Sequence, residues 1–399
     1  MILVVLIQYN HCISIVRKEV IKLLITITAK IQILPTKEEI KSFNKTLDAY
    51  TKGCNFVSNI VYEEKVLNNI KLHKLTYNIL REKHGLKSQM ASSVLKTVIA
   101  RYKTNQSNNH EWTLVQFKKR EYDLAWNRDY SVKKDFFSIN TIDGRIRNIK
   151  FKSKGMTHFF DGSWKFGTAK LVNKYGKWFL HIPFSKEVED CENDKVKNIV
   201  GIDMGLNFTA VTYDSNGKTL FFSGRVIKHK RAKYKKLRKE LQEKRTTSAR
   251  KKLKTIGQRE SRWVTDVNHC ISKALVEKYG SDTLYAIEDL TGVRQATEKV
   301  RVRDRYYMVS WSFYQLRRFI EYKAILNKSR VEAFDPRYTS QRCPKCDHTE
   351  KSNRNKKTHN FYCKNCGYKS NDDRIGAMNL HKKGVKHLIA VTSEAKLSA

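Results

Sequence analysis

Four cysteines, in Cys343-Pro344-Lys345-Cys346 and Cys363-Lys364-Asn365-Cys366 with 16 residues between the pairs, are the most specific chemical signal in this chain. Each C-x-x-C forms a tight knuckle, and two knuckles offer four thiolates to one tetrahedral zinc at ~2.3 Å, with no position left open. A redox dithiol needs one such pair beside a βαβ unit, not two. His348 and His359 are spare donors that four cysteines leave unneeded. Cys12, Cys54, Cys191 and Cys270 stand alone, as expected of buried thiols in a reducing compartment.

Three carboxylates form the second signal. Asp203 interrupts the apolar strand pattern Ile199-Val200-Gly201-Ile202. Glu288 stands near the end of Thr283-Leu284-Tyr285-Ala286-Ile287, and Asp373 just precedes a helix-like apolar pattern. A carboxylate in a buried strand is costly unless something positive meets it. Asp203, Glu288 and Asp373 on three core elements suit a phosphodiesterase holding two magnesium ions ~3.5–4 Å apart.

The elements that must position these groups follow from patterning. Asn198–Asp203, Phe208–Tyr213 and Thr219–Phe222 read as three strands, the last two joined by the Asp214-Ser215-Asn216-Gly217 hairpin signal. This start, with the Glu288 strand and the late aspartate, resembles the ribonuclease H-like fold of RuvC nucleases. Upstream, Leu23–Ile33 alternates as a strand. Thr36-Lys37-Glu38-Glu39 is a capping box, and Ile40, Phe43, Leu47 and Tyr50 follow at helical spacing. A second helix begins near Ser88, with Met90, Val94 and Val98 on one face. From Asp129 to Lys186 short strands return, with Phe166–Val172 and Trp178–Phe184 flanking a turn. They form a small β-barrel whose first strand is Leu23–Ile33 and which carries the helices as an insertion.

Charge identifies the class of partner. Lys plus Arg number 79 against 39 Asp plus Glu, a net of +40, which would self-repel in a compact chain unless a polyanion neutralised it. Residues 228–262 hold 16 Lys or Arg in 35 positions and read as a basic helical stretch. Lys230, Arg231, Lys235, Arg238, Lys251, Lys252 and, further on, Arg342 are the expected phosphate contacts. Trp263, Val267, Ile271 and Leu275 continue as a better-buried helix, on which His269 is expected to be structural. Met1–Ile7 is apolar but too short to cross a bilayer, which takes about 20 residues. It also has no basic lead or cleavage site. An N-terminal extension and a cytoplasmic protein with no membrane role are expected.

In combination these motifs are specific. Ile33-Leu34-Pro35-Thr36, Gly201-Ile202-Asp203-Met204-Gly205, Ile287-Glu288-Asp289-Leu290 and Tyr338-Thr339-Ser340-Gln341-Arg342-Cys343 occur in that order. The four cysteines and Asp373 through Asn379-Leu380 complete the set. The chain resembles the TnpB family, insertion-sequence-encoded RNA-guided DNA endonucleases related to the single-RuvC, type V CRISPR effectors. The resemblance implies catalytic carboxylates at Asp203, Glu288 and Asp373, structural Zn2+ and catalytic Mg2+. It also implies a guide RNA and a target DNA as partners, with one protein chain per RNA. Asp373 is preferred over Asp372 for its spacing to Asn379. Ile375 and Gly376 depart from the family's usual Asn and Ala, and Asp347 from a usual Gly.

The expected architecture is multidomain α+β. Residues 1–22 are an N-terminal extension, 23–35 with 113–190 a wedge-like β-barrel, and 36–112 a helical recognition insertion. Residues 197–340 with 371–385 are a RuvC-like nuclease domain, 341–370 a zinc ribbon and 386–399 a tail. The function implied is target cleavage beside a short motif. Guided binding without cleavage, as a transposition accessory or repressor, and RNA-independent transposition are the alternatives. Against the last, the sequence has no His-x-His pair.

Overall fold

The computed structural model describes residues 4–8, 22–153, 155–289 and 313–397. The chain divides into two compact units, one built mainly from residues 24–186 and the other from 187–399. Cys12 and Leu290 lie outside the described residues.

The first unit is a sheet with helices between its strands. Its strands are β1 (Val4–Gln8), β2 (Lys22–Ile33), β3 (Glu121–Leu124), β4 (Tyr130–Lys133), β5 (Phe136–Thr141), β6 (Gly144–Lys152), β7 (Lys165–Phe166), β8 (Ala169–Lys174) and β9 (Lys177–Glu189). They order as β3-β8-β9-β2-β6-β5-β4, with β1 added to β2 and β7 to β9. In β2, Leu23, Ile25, Ile27, Ala29, Ile31 and Ile33 are all buried on one face. Each such isoleucine or leucine stabilises the fold by roughly 1.5–3 kcal/mol. Between β2 and β3 run α1 (Lys37–Glu64), α2 (Asn69–Glu82) and α3 (Ser88–Ser107). Helix α1 starts at the capping box: Thr36 Oγ1 accepts from Glu39 N, and Glu39 accepts from Thr36 N at 2.6 Å.

Part of the expected N-terminal extension is structured. Val4–Gln8 pairs antiparallel with β2, from Val4 opposite Thr28 to Gln8 opposite Leu24. This pairing adds a strand to the sheet that the β2 pattern alone does not reveal.

The second unit centres on β10 (Asn198–Asp203), β11 (Phe208–Asp214), β12 (Thr219–Ser223), β13 (Thr283–Glu288) and β14 (Arg330–Phe334). Their order is β12-β11-β10-β13-β14, with β10–β13 and β13–β14 parallel and the other pairs antiparallel. Among the described residues the sheet is joined by helices α4 (Arg225–Glu243), α5 (Thr247–Ile256), α6 (Arg259–Tyr279), α7 (Phe313–Leu326) and α8 (Asp372–Leu397). Val200, Ile202, Tyr285 and Ile287 form one core with Ile271 and Leu275 of α6 and Leu316 and Ile320 of α7. The alternate residues of β10 and β13 therefore turn to the other face, where α8 packs. Gly201 makes that approach possible, because a Cβ there would run into the Ala377 carbonyl.

Residues 228–262 are helical, in three pieces: α4 ends at Glu243, Arg245 takes φ 50°, α5 begins after the Thr246 cap and α6 at Arg259. Residues 386–397, expected as a tail, continue α8 without a break.

Candidate carboxylate centre and cysteine knot

Topology brings the three carboxylates together. β10 and β13 run parallel with Ile202 opposite Ile287, so one step further Asp203 stands beside Glu288 at the carboxyl ends of both strands. Period-two alternation points both toward α8. There, a Cβ built on Gly376 would lie 2.8 Å from Asp203 Oδ2, and one on Gly205 would lie 3.9 Å from both Asp373 carboxylate oxygens. The start of α8 is fixed by Asn371, whose Oδ1 accepts from Asp373 N and Arg374 N at 3.1 Å. Such a cap stabilises a helix by about 1 kcal/mol.

The electrostatics are those of crowded acids. Burial, followed by Glu288 and Asp373, drives the Asp203 carboxyl well above the usual range. Burial also raises Glu288, opposed by the Thr339 hydroxyl, which donates to Glu288 Oε1 at 2.7 Å, and by Lys383 and Arg354. Burial and Asp372 raise Asp373, opposed by Arg354, His359 and Lys228. Asp373 Oδ2 is buried without a hydrogen-bond partner. A cation placed among these groups would remove the conflict; the ligand atoms that lie within 4.8 Å of one another are those of His359, Asp372 and Asp373, a donor set that fits a divalent metal.

Asp372 behaves differently from its neighbour. It is fully buried, and Arg354 Nε donates to its Oδ2 at 2.8 Å. Arg354 Nη1 donates to Ser340 Oγ at 2.8 Å, and Nη2 lies 3.9 Å from Asp373 Oδ1. His359 Nδ1 is 3.4 Å from Asp372 Oδ2, so this spare donor sits with the acids. His348 instead meets Glu350 at 3.1 Å. Sequence reasoning missed Arg354, since one arginine in a basic segment carries no spacing signal.

The four cysteines converge as their spacing suggests. Cys343 Sγ lies 3.6 Å from Cys366 Sγ, and Cys346 Sγ 3.5 Å from Cys363 Sγ. All four sulfurs lie within 4.8 Å of one another, which fits a single tetrahedral ion. Each knuckle closes the same way: Asp347 N donates to Cys343 O and Gly367 N to Cys363 O, both at 3.0 Å. Asp347 and Gly367 both take positive φ, 58° and 73°. Asp347 thus occupies a left-handed position that suits glycine, with Arg342 and Lys382 at 3.1 and 3.3 Å from its Oδ1. A backbone hydrogen bond from His348 lowers the Cys346 thiol to about 6.

The knot and the acids share a helix. Ile375 is fully buried with Cys343, Phe361 and Cys363, so an apolar residue is used where the family has Asn. Asn379 Nδ2 donates to Thr339 O at 2.7 Å and Arg342 O at 2.8 Å, tying α8 to the segment entering the knot.

The proposed phosphate contacts divide. Arg231 is buried and meets the buried Glu260 at 3.9 Å, and Arg238 also pairs with Glu260. Arg231 is turned inward by an acid on a different helix, which corrects its reading as a phosphate contact, whereas Arg238 stays part-exposed. Lys251 and Lys252 are exposed on α5. Lys235 is part-buried on α4. Lys230 Nζ sits 4.0 Å from the Trp263 ring centroid, and Arg342 pairs with Asp347. His269 stacks on Phe319 at 3.9 Å between α6 and α7, away from the carboxylates. Cys54 and Cys191 are buried, but Cys270 is exposed on α6.

Two families match. One, described as "Cas12f1-like, TNB domain", covers residues 313–380, and "Probable transposase" (OrfB_IS605) covers 181–295. The TnpB-like protein MJ0751 of Methanocaldococcus jannaschii is 31% identical over 244 residues, 58% of this chain and 83% of that protein. The chain belongs to the TnpB family. The CRISPR-associated endodeoxyribonuclease Cas12f1 of Syntrophomonas palmitatica is 27% identical over 301 residues, 71% of this TnpB-family chain. The match takes in 58% of that protein, less than two thirds of its length. In overall fold the chain is similar to a Cas12f1–sgRNA–target DNA structure. The TM-score is 0.55 at 14% identity, covering 86% of this chain and 83% of that one. Among the described residues no helix is long and apolar enough to cross a membrane.

Proposed function

We propose that this chain is a transposon-encoded RNA-guided DNA endonuclease that cleaves target DNA beside a short motif by metal-dependent phosphodiester hydrolysis. The observation that carries this reading is the convergence of Asp203, Glu288 and Asp373 around an unpartnered buried carboxylate oxygen. Family membership and strand order β12-β11-β10-β13-β14 support a ribonuclease H-like, RuvC-type nuclease domain with an inserted zinc ribbon. The strand-and-helix unit before it is the barrel with its helical insertion, which holds the guide RNA.

Asp203, Glu288 and Asp373 are the groups that would hold two magnesium ions, and Cys343, Cys346, Cys363 and Cys366 one structural zinc. Such a magnesium pair supplies an activated water and charge stabilisation at the leaving oxygen. The chain's own contribution is positional. Thr339 orients Glu288, Asn371 sets the start of α8, and Arg354 holds Asp372 while presenting its guanidinium beside Asp373. That guanidinium is placed to meet a phosphate. Exposed Lys251 and Lys252 would contact the backbone of the nucleic acid. Guide–target pairing would supply sequence specificity, with one protein chain per RNA.

Guided binding without cleavage is the second reading, and the three intact carboxylates weigh against it. The deciding experiment sequences the nucleic acid that co-purifies with the protein and then assays cleavage of a matching plasmid with Mg2+. RNA from the gene's 3′ flank and cleavage of the matched plasmid only are expected. Matched binding with no cleavage would favour the second reading. Equal action on any DNA without RNA would overturn the proposal.

A further inference from the structure

A groove of about 770 Å³ opens within the first unit, between α1, α3, β3 and the segment that joins α3 to β3. That volume falls within the range of small-ligand sites, about 300–1,000 Å³. Its wall is fixed rather than loose. Ser58 Oγ donates to Val115 O at 2.6 Å, and Phe117 N donates to Asn55 Oδ1 at 2.7 Å. Asn55 Nδ2 returns a hydrogen bond to Phe117 O at 3.2 Å. The rim carries the exposed cations Lys96, Arg101, Lys118, Lys119 and Lys170.

The lining also holds two carboxylates, Asp123 and Glu121, the latter 3.7 Å from Lys170 Nζ. Thr97 donates to Asp123 Oδ2 at 2.6 Å, and Tyr50 stands 2.9 Å from the same threonine hydroxyl. Asp123 Oδ1 is buried, accepts no hydrogen bond and is ion-paired with Lys170 Nζ at 3.4 Å. Lys170 is half exposed and able to swing aside.

We propose that this groove binds a guanine nucleotide, its base read by Asp123 and Lys170 and its phosphate held by the rim lysines and Arg101. An ionised carboxylate only accepts hydrogen bonds. Among the bases, guanine alone offers it two adjacent donors, N1–H and the N2 amine, on the edge exposed when a base is unpaired. Adenine, cytosine and uracil each place an acceptor next to their donor there. Lys170, displaced from Oδ1, donates to guanine O6, and half-buried Phe117 supplies a face for the ring. The guanine comes from an unpaired position of the bound nucleic acid, an assignment that rests on the proposed function, or from a free nucleotide.

The test uses the full-length, RNA-free chain, with GMP, IMP and AMP as probes in equilibrium dialysis. IMP lacks only the N2 amine, so GMP is expected to bind about tenfold tighter, the loss of one hydrogen bond to a charged group. Asp123→Asn is expected to abolish that preference. Lys170→Met, on the exposed rim, is expected to weaken GMP and IMP by the same factor, which keeps the test valid should Asp123→Asn fold poorly. Displacement of GMP by an oligouridine carrying one guanosine, and not by oligouridine alone, identifies a nucleic-acid source. Selective GMP binding that the oligonucleotide does not displace identifies a free nucleotide. Equal GMP and IMP affinity in the wild type, or an unchanged preference in a folded Asp123→Asn, overturns the proposal. If the 3′-flank RNA still binds tightly in that event, the guided-endonuclease reading stands without this site.

Discussion

The cysteine knot and the carboxylate centre are both built to gather four or fewer ligand groups at a point, but they do so by opposite means. The knot is local. Two knuckles of the same backbone geometry, closed at Asp347 and Gly367, aim their own cysteines inward. The centre is global. Asp203 and Glu288 meet only because β10 and β13 are parallel neighbours in one register, and Asp373 joins them only because α8 crosses that face. The local cluster guarantees its shape alone, whereas the global one depends on something anchoring its last member. That anchor is the knot itself, through Ile375 in its core and Arg354 against Asp372.

The largest effect should come from the centre. Asp203→Ala or Glu288→Ala should reduce Mg2+-dependent cleavage to background while guided DNA binding persists, read by parallel cleavage and mobility-shift assays. Wild-type cleavage in either variant would remove these residues from the site. Next, Cys363→Ser should release the zinc, measured as about one ion per wild-type chain by metal analysis, and lower activity through the displaced start of α8. Full activity in a zinc-free protein would break the proposed dependence of the centre on the knot.

Asp373→Asn should cost activity with little change in melting, since its Oδ2 has no partner to lose. Arg354→Ala should destabilise by about 3–5 kcal/mol, because it strands the buried Asp372 carboxylate. Adding Asp372→Asn to Arg354→Ala should recover part of that loss without recovering cleavage. Additive destabilisation in the double variant would mean the pair is not coupled.

The smallest effect is a pH dependence unrelated to either cluster. Burial lowers both His181 and His269 from 6.5 to about 4. The unfolded chain takes up protons below about 6.5 that the folded chain refuses, so stability falls as pH drops from about 6.5 toward 4. Above that window these groups contribute no slope. His181→Gln should flatten the acid side of a melting-temperature profile, and an unchanged profile would reject this origin.

Much of this is legible in the sequence for physical reasons. Strand alternation in Leu23–Ile33, the Thr36 capping box and the C-x-x-C spacing are short-range patterns, and short-range geometry writes itself into adjacent residues. What escaped detection depends on distant partners. Glu260 turns Arg231 inward from another helix. Arg354 acquires meaning only beside Asp372. Helix α2 buries just Leu72, Thr76 and Leu80, too sparse a stripe to announce itself. The edge strand Val4–Gln8 is defined by its pairing with β2 rather than by its own pattern.

Whether Asp203, Glu288 and Asp373 form one metal-binding centre is decided by locating Mn2+ from anomalous scattering in crystals of the full-length protein. Two peaks ~3.5–4 Å apart are predicted between these three carboxylates, with both lost in Asp203→Asn. A peak only at His359 and Asp372, or none near Asp203 and Glu288, would mean that these three carboxylates do not share a metal site.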